Sequence, residues 1–400
     1  MTEETIQRVH SALEGFQIEL PSWGFADTGT RFGKFLQDGA AIDLADKLGD
    51  AGEVNRVTGC CPKVATHVLW DFEEGKSLDE VVSLAEKNGV TLGSINPNLF
   101  QDQEYRLGSL CHPDADIRRR AAEHLVESVK LGQGVGSEVV SLWMADGTNY
   151  PGQDSIRARK RRLEDALQEI HRHLSPEQIF LIEYKPFEPA FYHTDIADWG
   201  MSLHYAKKMG PQAKVLVDTG HHYQAQNIEQ IVAWLLDEEM LGGFHFNDRR
   251  YADDDLTLGS IDPYQIFRIF NEIHGYAFSK GGQYPAIEYM VDQSHNLKPK
   301  IEAMIETAVT AQELYAKAAL VDHAQLERHQ ERGEIVDAER LLKKAFGTDV
   351  SGAIAEWRRG KGLGEDPLVS FRESGYLQRI EADRKARRQE LGIVNGGSYA

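Results

Sequence analysis

Between residues 15 and 320 the chain alternates short apolar segments with amphipathic stretches, which is the pattern of βα units feeding a parallel sheet. The strand candidates are FQIELPSW (16–23), ATHVLWD (65–71), GVTLGSIN (89–96), SEVVSLWMA (137–145), QIFLIEYK (178–185), KVLVDTG (214–220), LGGFHFND (241–248) and YPAIEYMVD (284–292). Helical periodicity marks 77–89, 116–132, 155–174, 195–210, 227–240, 264–274 and 298–318, with Gly89, Gly132, Gly210 and Gly275 read as helix stops. An open doubly wound sheet also alternates in this way, but no G-x-G-x-x-G follows the first strand. Eight strands with crossovers count out an α/β fold of the (β/α)8 TIM-barrel class.

The barrel is expected over 1–320. Beyond it, 321–400 carries charged helical patterns with thin apolar stripes, a C-terminal helical extension unable to form its own core. Such helices are expected to pack on the barrel or on a neighbouring subunit. A formal charge of −19 argues against nucleic-acid or anionic-membrane partners, which need a basic face. The basic runs at 118–120, 157–162 and 384–388 fall in helical stretches and read as solvated faces with i,i+4 pairs. Three cysteines, two of them adjacent (Cys60, Cys61), form no disulfide framework and no metal-binding pair. With no signal-peptide pattern and no spanning apolar run, a cytoplasmic location is expected.

Ionisable residues gather at the C-terminal ends of the last four strand segments: Glu183, then Asp218 with His221, then His245, then Asp292. Asp253 and Asp255 follow in the loop after the His245 segment. A buried charge costs several kcal/mol unless paired or metal-bound, so one such strand could be an accident. Four in series call for cations, and catalytic groups in this fold project from the same strand ends. Oxygen-rich ligation with a few imidazoles and no thiolate suits Mg²⁺, Mn²⁺ or Co²⁺. Five carboxylates exceed what one divalent ion neutralises, so two ions are expected, with Glu183 as the plausible bridge. Lys185, on the same strand face as Glu183, reads as an electrophile or anion clamp. His67 is a candidate acid/base, and Trp70 and Trp143 a candidate apolar wall. Taken singly, each histidine also fits a hydrogen-bonded structural role. Glu288 shares a strand face with Asp292 and is its competitor as a ligand.

The segments WMADGTNYPGQ (143–153), IEYKPFEP (182–189), VDTGHHYQAQNIEQ (217–230) and FHFNDRRYADDDLTLGS (244–260) resemble the xylose isomerase-like superfamily of sugar isomerases. Within it they look like the bacterial L-rhamnose isomerases of broad specificity. The resemblance implies that Glu183, Asp218, His245 and Asp292 hold a structural ion that grips substrate hydroxyls. It implies a catalytic ion on Glu183, His221, Asp253 and Asp255, which puts Asp255 among the catalytic groups. Lys185 would contact the sugar O1 and His67 would assist ring opening. Asp292, Trp70, Trp143 and Phe32 would line the substrate, Phe32 as the finger of an N-terminal loop reaching a neighbouring subunit's site. Two Mn²⁺ ions per subunit, with Co²⁺ or Mg²⁺ as alternatives, and a homotetramer are also implied. The expected reaction is aldose–ketose isomerisation, L-rhamnose to L-rhamnulose with activity on other sugars, by a metal-mediated 1,2-hydride shift; an enediol route competes. A sugar 3-epimerase on the same barrel would need one ion and two facing carboxylates. An endonuclease-type phosphodiesterase would need more histidines and a basic mouth.

Overall fold

The protein is described here by a computed structural model, which covers residues 1–30, 33–73, 75–188 and 192–393. Eight parallel strands close into a barrel: β1 (Glu19–Pro21), β2 (Lys63–His67), β3 (Thr91–Asn96), β4 (Val139–Leu142), β5 (Ile179–Glu183), β6 (Ala213–Asp218), β7 (Leu241–Phe246) and β8 (Glu288–Val291). β1 pairs with both β2 and β8 and so completes the circle. All eight strands overlap the apolar runs, but β2 takes only 65–67 of its run, Val68–Asp71 turning into a short helix, and the first run ends in the 3-10 turn Ser22–Phe25. Such runs are near-continuous rather than alternating because helices cover one face and the barrel core the other. Val139, Leu181, Leu216 and Met290 pack together as a small apolar cluster of their own. The polar ends of β5–β8 begin beyond it.

The crossover helices are α1 (Leu44–Thr58), α2 (Leu78–Lys87), α3 (Ala115–Val135), α4 (Ile156–His171), α5 (Trp199–Met209), α6 (Ile228–Asp237), α7 (Pro263–Ser279) and α8 (Lys300–Ala318). α3 runs through Gly132 and stops at Gly136, and α7 runs through Gly275; only Gly89 and Gly210 lie at helix ends as expected. α1 escapes the periodicity analysis for two reasons. Its buried face mixes Leu48, Ala51 and Val54 with Lys47, Asp50 and Glu53. It also carries Gly52, where a Cβ would come within 2.2 Å of the Asn88 carbonyl oxygen on the neighbouring connection. Asp43 starts the helix by accepting from the Asp46 amide.

The tail helices lie on the barrel's flank. Phe346 packs edge-on against Tyr264 and Phe267 of α7. Ser351–Gly360 buries Ile354 and Trp357 with Val9 and Leu13 of the N-terminal helix Glu3–Glu14. The last helix, Tyr376–Glu390, docks on α1 through arginines. Here the reading of the basic runs as solvated faces fails. Arg384 and Arg388 are buried, as is Arg159 of α4, which bonds to Asp195 at 2.7 Å. Only the 118–120 run behaves largely as expected, with an exposed Arg119–Glu123 i,i+4 pair at 2.9 Å. Among the described residues no helix is long and apolar enough to cross a membrane.

Candidate metal centre

Four adjacent strand ends deliver their ionisable groups to one place. Asp218 and His245 are register partners on β6 and β7, while Glu183 ends β5 and Asp292 immediately follows β8. One ligand atom from each of Glu183, Asp218, His245 and Asp292 falls within 4.8 Å of the others. Asp218, His221 and Asp253 form a second such group, so Asp218 belongs to both. Glu183 also touches both, with Oε2 3.2 Å from His245 Nδ1 and Oε1 3.1 Å from His221 Nδ1. Asp255 is not in the second group; it bonds to Asp253 from a left-handed backbone conformation, φ 47°. That conformation is uncommon outside glycine, and aspartate is among the residues that tolerate it.

The electrostatics test whether a cation fits. Burial, with Glu183, Asp253 and Asp292 close by, pushes Asp218 up to about 7 despite His221. Burial and Asp253 push Asp255 well above the carboxylate range. Burial opposes charge at Glu183 too, but His245 and His221 hold it down at about 2. Against their own burial, the facing carboxylates raise His245 to about 9 and His221 well above the usual imidazole range. The cluster thus balances itself by keeping protons on imidazoles and on some carboxyls, and a divalent ion displaces such protons. Neither ring nitrogen of His245, nor Asp253 Oδ1, makes a hydrogen bond, although all three are buried. His245 Nδ1 and Glu183 Oε2 approach without alignment, as two ligands facing a shared ion do. The donor set fits a divalent cation.

Neighbouring groups fix these candidate ligands. Asn247 Nδ2 donates to Asp218 Oδ1 at 3.0 Å and to the Asp292 carbonyl at 2.9 Å. The Gly220 amide donates to Asp218 Oδ1 at 2.6 Å, and a Cβ on Gly220 would come within 2.6 Å of Asn247 Oδ1. Trp23 Nε1 donates to Asp292 Oδ1 at 2.8 Å. Lys185 Nζ bonds to Asp253 at 2.7 Å and to Glu188 at 3.0 Å, 5.2 Å above the Trp143 ring; burial opposes its charge, but the two carboxylates raise its pKa further.

A cavity of about 170 Å³ opens over the cluster, lined by Glu183, Lys185, His221, His245, Asp253 and Asp292 on one side. His67, Trp70, Trp143, Trp23 and Phe100 form the other. It is smaller than the roughly 300 Å³ at which drug-sized pockets begin. The His67 ring meets Trp23 edge-on at 4.8 Å and Trp70 at a tilt at 4.1 Å, and burial lowers its pKa to about 3. Phe32 lies outside the described residues.

A model of the family described as "Xylose isomerase-like TIM barrel" matches residues 40–279. The chain belongs to this family. It is 38% identical to a probable sugar isomerase of Mesorhizobium japonicum over 98% of this chain and 90% of that protein. A probable sugar isomerase of Rhizobium meliloti is also 38% identical, over 95% and 89% of the two chains. Among solved structures, a D-psicose 3-epimerase from Clostridium cellulolyticum superposes with TM-score 0.53 at 13% identity, covering 76% of this chain and 99% of that one. That likeness concerns the fold alone.

Several residues of the site escaped sequence reasoning. Trp23 sits in the 3-10 turn Ser22–Phe25 after β1, at the end of a run read as strand, and nothing in the pattern ties it to Asp292. Phe100 lies three residues past Pro97 in the loop after β3, among residues that read as an ordinary turn. Asn247 directly follows an apolar strand end, which was the available signal. Glu288, read as a competitor of Asp292, is instead at the far end of β8, where it pairs with Lys63 at 3.1 Å. Four residues of strand, about 13 Å at ~3.3 Å each, separate the two. Cys111, Asp146 and Asp195 also converge, but Asp146 accepts from Ser109 and Cys111 amides and Asp195 pairs with Arg159, so that group is internally satisfied.

Proposed function

We propose that this protein is a metal-dependent aldose–ketose isomerase that takes L-rhamnose to L-rhamnulose and accepts related sugars. The observation that carries the reading is a pair of adjoining ligand groups, sharing Asp218 and linked by Glu183, with Lys185 reaching over the second. The relatives described as probable sugar isomerases support it. In this reading Glu183, Asp218, His245 and Asp292 hold one ion, and His221, Asp253 and Asp255, with Asp218 and Glu183 at the boundary, hold the other. Bound Mn²⁺ would supply electrophilic polarisation of the substrate's vicinal oxygens. We read 1–320 as the catalytic unit, with the 321–400 tail on its flank and a homotetramer as the assembly.

The side chains divide the remaining work. Lys185, kept protonated by Asp253 and Glu188, donates a hydrogen bond to the carbonyl oxygen at C1 and cannot serve as a base. His67 is neutral at working pH, so its imidazole can take the proton of the O1 hydroxyl and return it to the ring oxygen as the bond from C1 to that oxygen breaks. Trp23, Trp70, Trp143 and Phe100 exclude water from the open chain. A hydride then passes from C2 to C1 while the O2 proton is relayed to O1, converting aldose to ketose without external redox.

The test is a panel of aldoses and ketoses assayed after chelator treatment, with and without Mn²⁺, alongside metal analysis. Interconversion of L-rhamnose and L-rhamnulose that vanishes on chelation and returns with Mn²⁺, at two ions per chain, is the expected result. Absence of isomerisation for every sugar defeats the proposal. One ion per chain with inversion at C3 would assign a sugar 3-epimerase, in which Glu183 and Asp292 act as facing bases.

A further inference from the structure

β7 leads directly into Asn247, Asp248 and Arg249, and the last of these is only 9% exposed. Its Nε donates to the His222 carbonyl at 2.7 Å, Nη1 to the Thr219 carbonyl at 2.9 Å and Nη2 to the Tyr223 carbonyl at 3.0 Å. A weaker bond at 3.4 Å joins Nη1 to Gln265 Oε1. None of these acceptors is a carboxylate. A guanidinium buried among neutral oxygens has lost its hydration without gaining an ion pair, a costly arrangement that an apolar side chain would avoid. Burial lowers its pKa, but it stays cationic at any physiological pH.

What the arrangement provides is one rigid plane tying three carbonyls of a single turn. That turn carries His221 at its centre. The imidazole Nδ1 lies 3.0 Å from the Tyr184 carbonyl, which leaves Nε2 facing Asp253 Oδ1 at 3.3 Å and Asp218 Oδ2 at 3.9 Å. On the opposite side of the turn, His222 Nε2 bonds to the Tyr184 hydroxyl at 2.7 Å. Arg249 holds the turn from beneath, and Tyr184 holds both imidazoles from the side. The other ligand group meets this turn at Asp218, whose Oδ1 accepts from the Gly220 amide, and at Glu183, beside His221 Nδ1. But Asn247, outside the turn, holds the same Asp218 oxygen, and all four side chains of that group project from strand ends or the residue just after one.

We propose that Arg249 is a positioning residue for the His221–Asp253 side of the centre, aiming His221 Nε2 by caging the 219–223 turn, and so sets the affinity of one ion and not the other. The proposal rests on the two-ion reading above. Ligand orientation by outlying hydrogen bonds typically affects metal affinity 10–100-fold. Lysine cannot reproduce the planar three-carbonyl span, and methionine keeps much of the stem without the charge.

Arg249→Lys and Arg249→Met, prepared as full chains and stripped of metal, are titrated with Mn²⁺ by equilibrium dialysis and followed by electron paramagnetic resonance. The unsubstituted chain should bind two neighbouring ions that couple magnetically. Both variants should keep one ion at its original affinity and bind the second about 10–100-fold more weakly, leaving an isolated-ion spectrum. Should the lysine variant fail to fold, the methionine variant decides. Two ions bound as tightly as before, or both weakened in parallel, would overturn the role given to Arg249. Fewer than two ions on the unsubstituted chain would instead overturn the two-ion reading, and this inference with it.

Discussion

Where the tail helix Tyr376–Glu390 lies on α1, Arg384 is buried with both guanidinium arms on Asp50, each bond 2.8 Å long. Arg388 meets Asp27 at 2.8 Å and the carbonyls of Gln37, Asp38 and Ala40, while Arg387 spans Asp43 and Asp46. At the mouth of β5–β8 the burial is as deep, but five carboxylates face one lysine, shared with Glu188, and are otherwise balanced only by protons held on His221, His245 and some of the carboxyls themselves. The difference lies in matching rather than depth. Buried charge matched by its neighbours is architecture, as at Asp50, which burial raises to about 6 against the pull of Arg384 and which is still ionised at neutral pH. Buried carboxylates balanced only by displaceable protons are a receptor for a cation that can take the protons' place.

Substitutions at the two places should therefore separate cleanly. Lys185→Met removes the cation at the mouth, and turnover should fall on the order of 10³-fold, ~4 kcal/mol of barrier, with sugar binding retained. Steady-state kinetics beside calorimetric sugar binding checks this, and unchanged turnover would remove Lys185 from the mechanism. At the tail, Arg384→Ala leaves Asp50 buried without its partner and should cost about 3 kcal/mol of stability. Urea unfolding measures that loss, while ion stoichiometry and turnover per folded molecule should stay as they were. If Arg384→Ala changed the ion count, the contrast between the two regions would collapse.

The same distinction governs what could be read from sequence. The strands were legible because parallel strands buried on both faces appear as unbroken apolar runs, and Glu183, Asp218, His245 and Asp292 stood out as exceptions at their ends. Matched charge was illegible. Lys47, Asp50 and Glu53 made α1 look polar, and the partners of the first two lie elsewhere: Asp71 for Lys47, and Arg384, more than three hundred residues away, for Asp50. Arg159 and Arg384 sit in basic runs that look solvent-facing, Arg249 follows a strand end with no signal of its own, and only the fold brings the acceptors that bury them. Trp23, in the 3-10 turn after β1, and Phe100, in the loop after β3, carry no signal that points to the cavity, since both reach it by tertiary placement alone. Periodicity reports a residue's own face, and says nothing of a distant partner.

A third arrangement, charge matched outside the core, supplies the smallest effect and tests the rule at its limit. Glu164 on α4 accepts from Lys160, from His204 at 2.9 Å and from Lys208 at 2.9 Å. Its modest burial opposes ionisation, yet hydrogen bonds from these three partners and the charge of Lys160 hold its carboxyl down at about 2, against an ordinary 4.5. Between those values the unfolded chain binds more protons than the folded one. The contribution is therefore complete above about 4.5 and is lost as pH falls toward 2. Lys160, His204 and Lys208 are 45%, 43% and 46% exposed, so solvent screening leaves about 1 kcal/mol or less. Glu164→Gln should unfold at lower urea than the parent near neutral pH and at the same urea near pH 2. Molar salt should narrow the neutral gap, whereas the Arg384→Ala deficit, shielded from ions by burial, should persist in the same salt. A Glu164 deficit equally indifferent to salt would mean that burial depth does not separate these matched pairs.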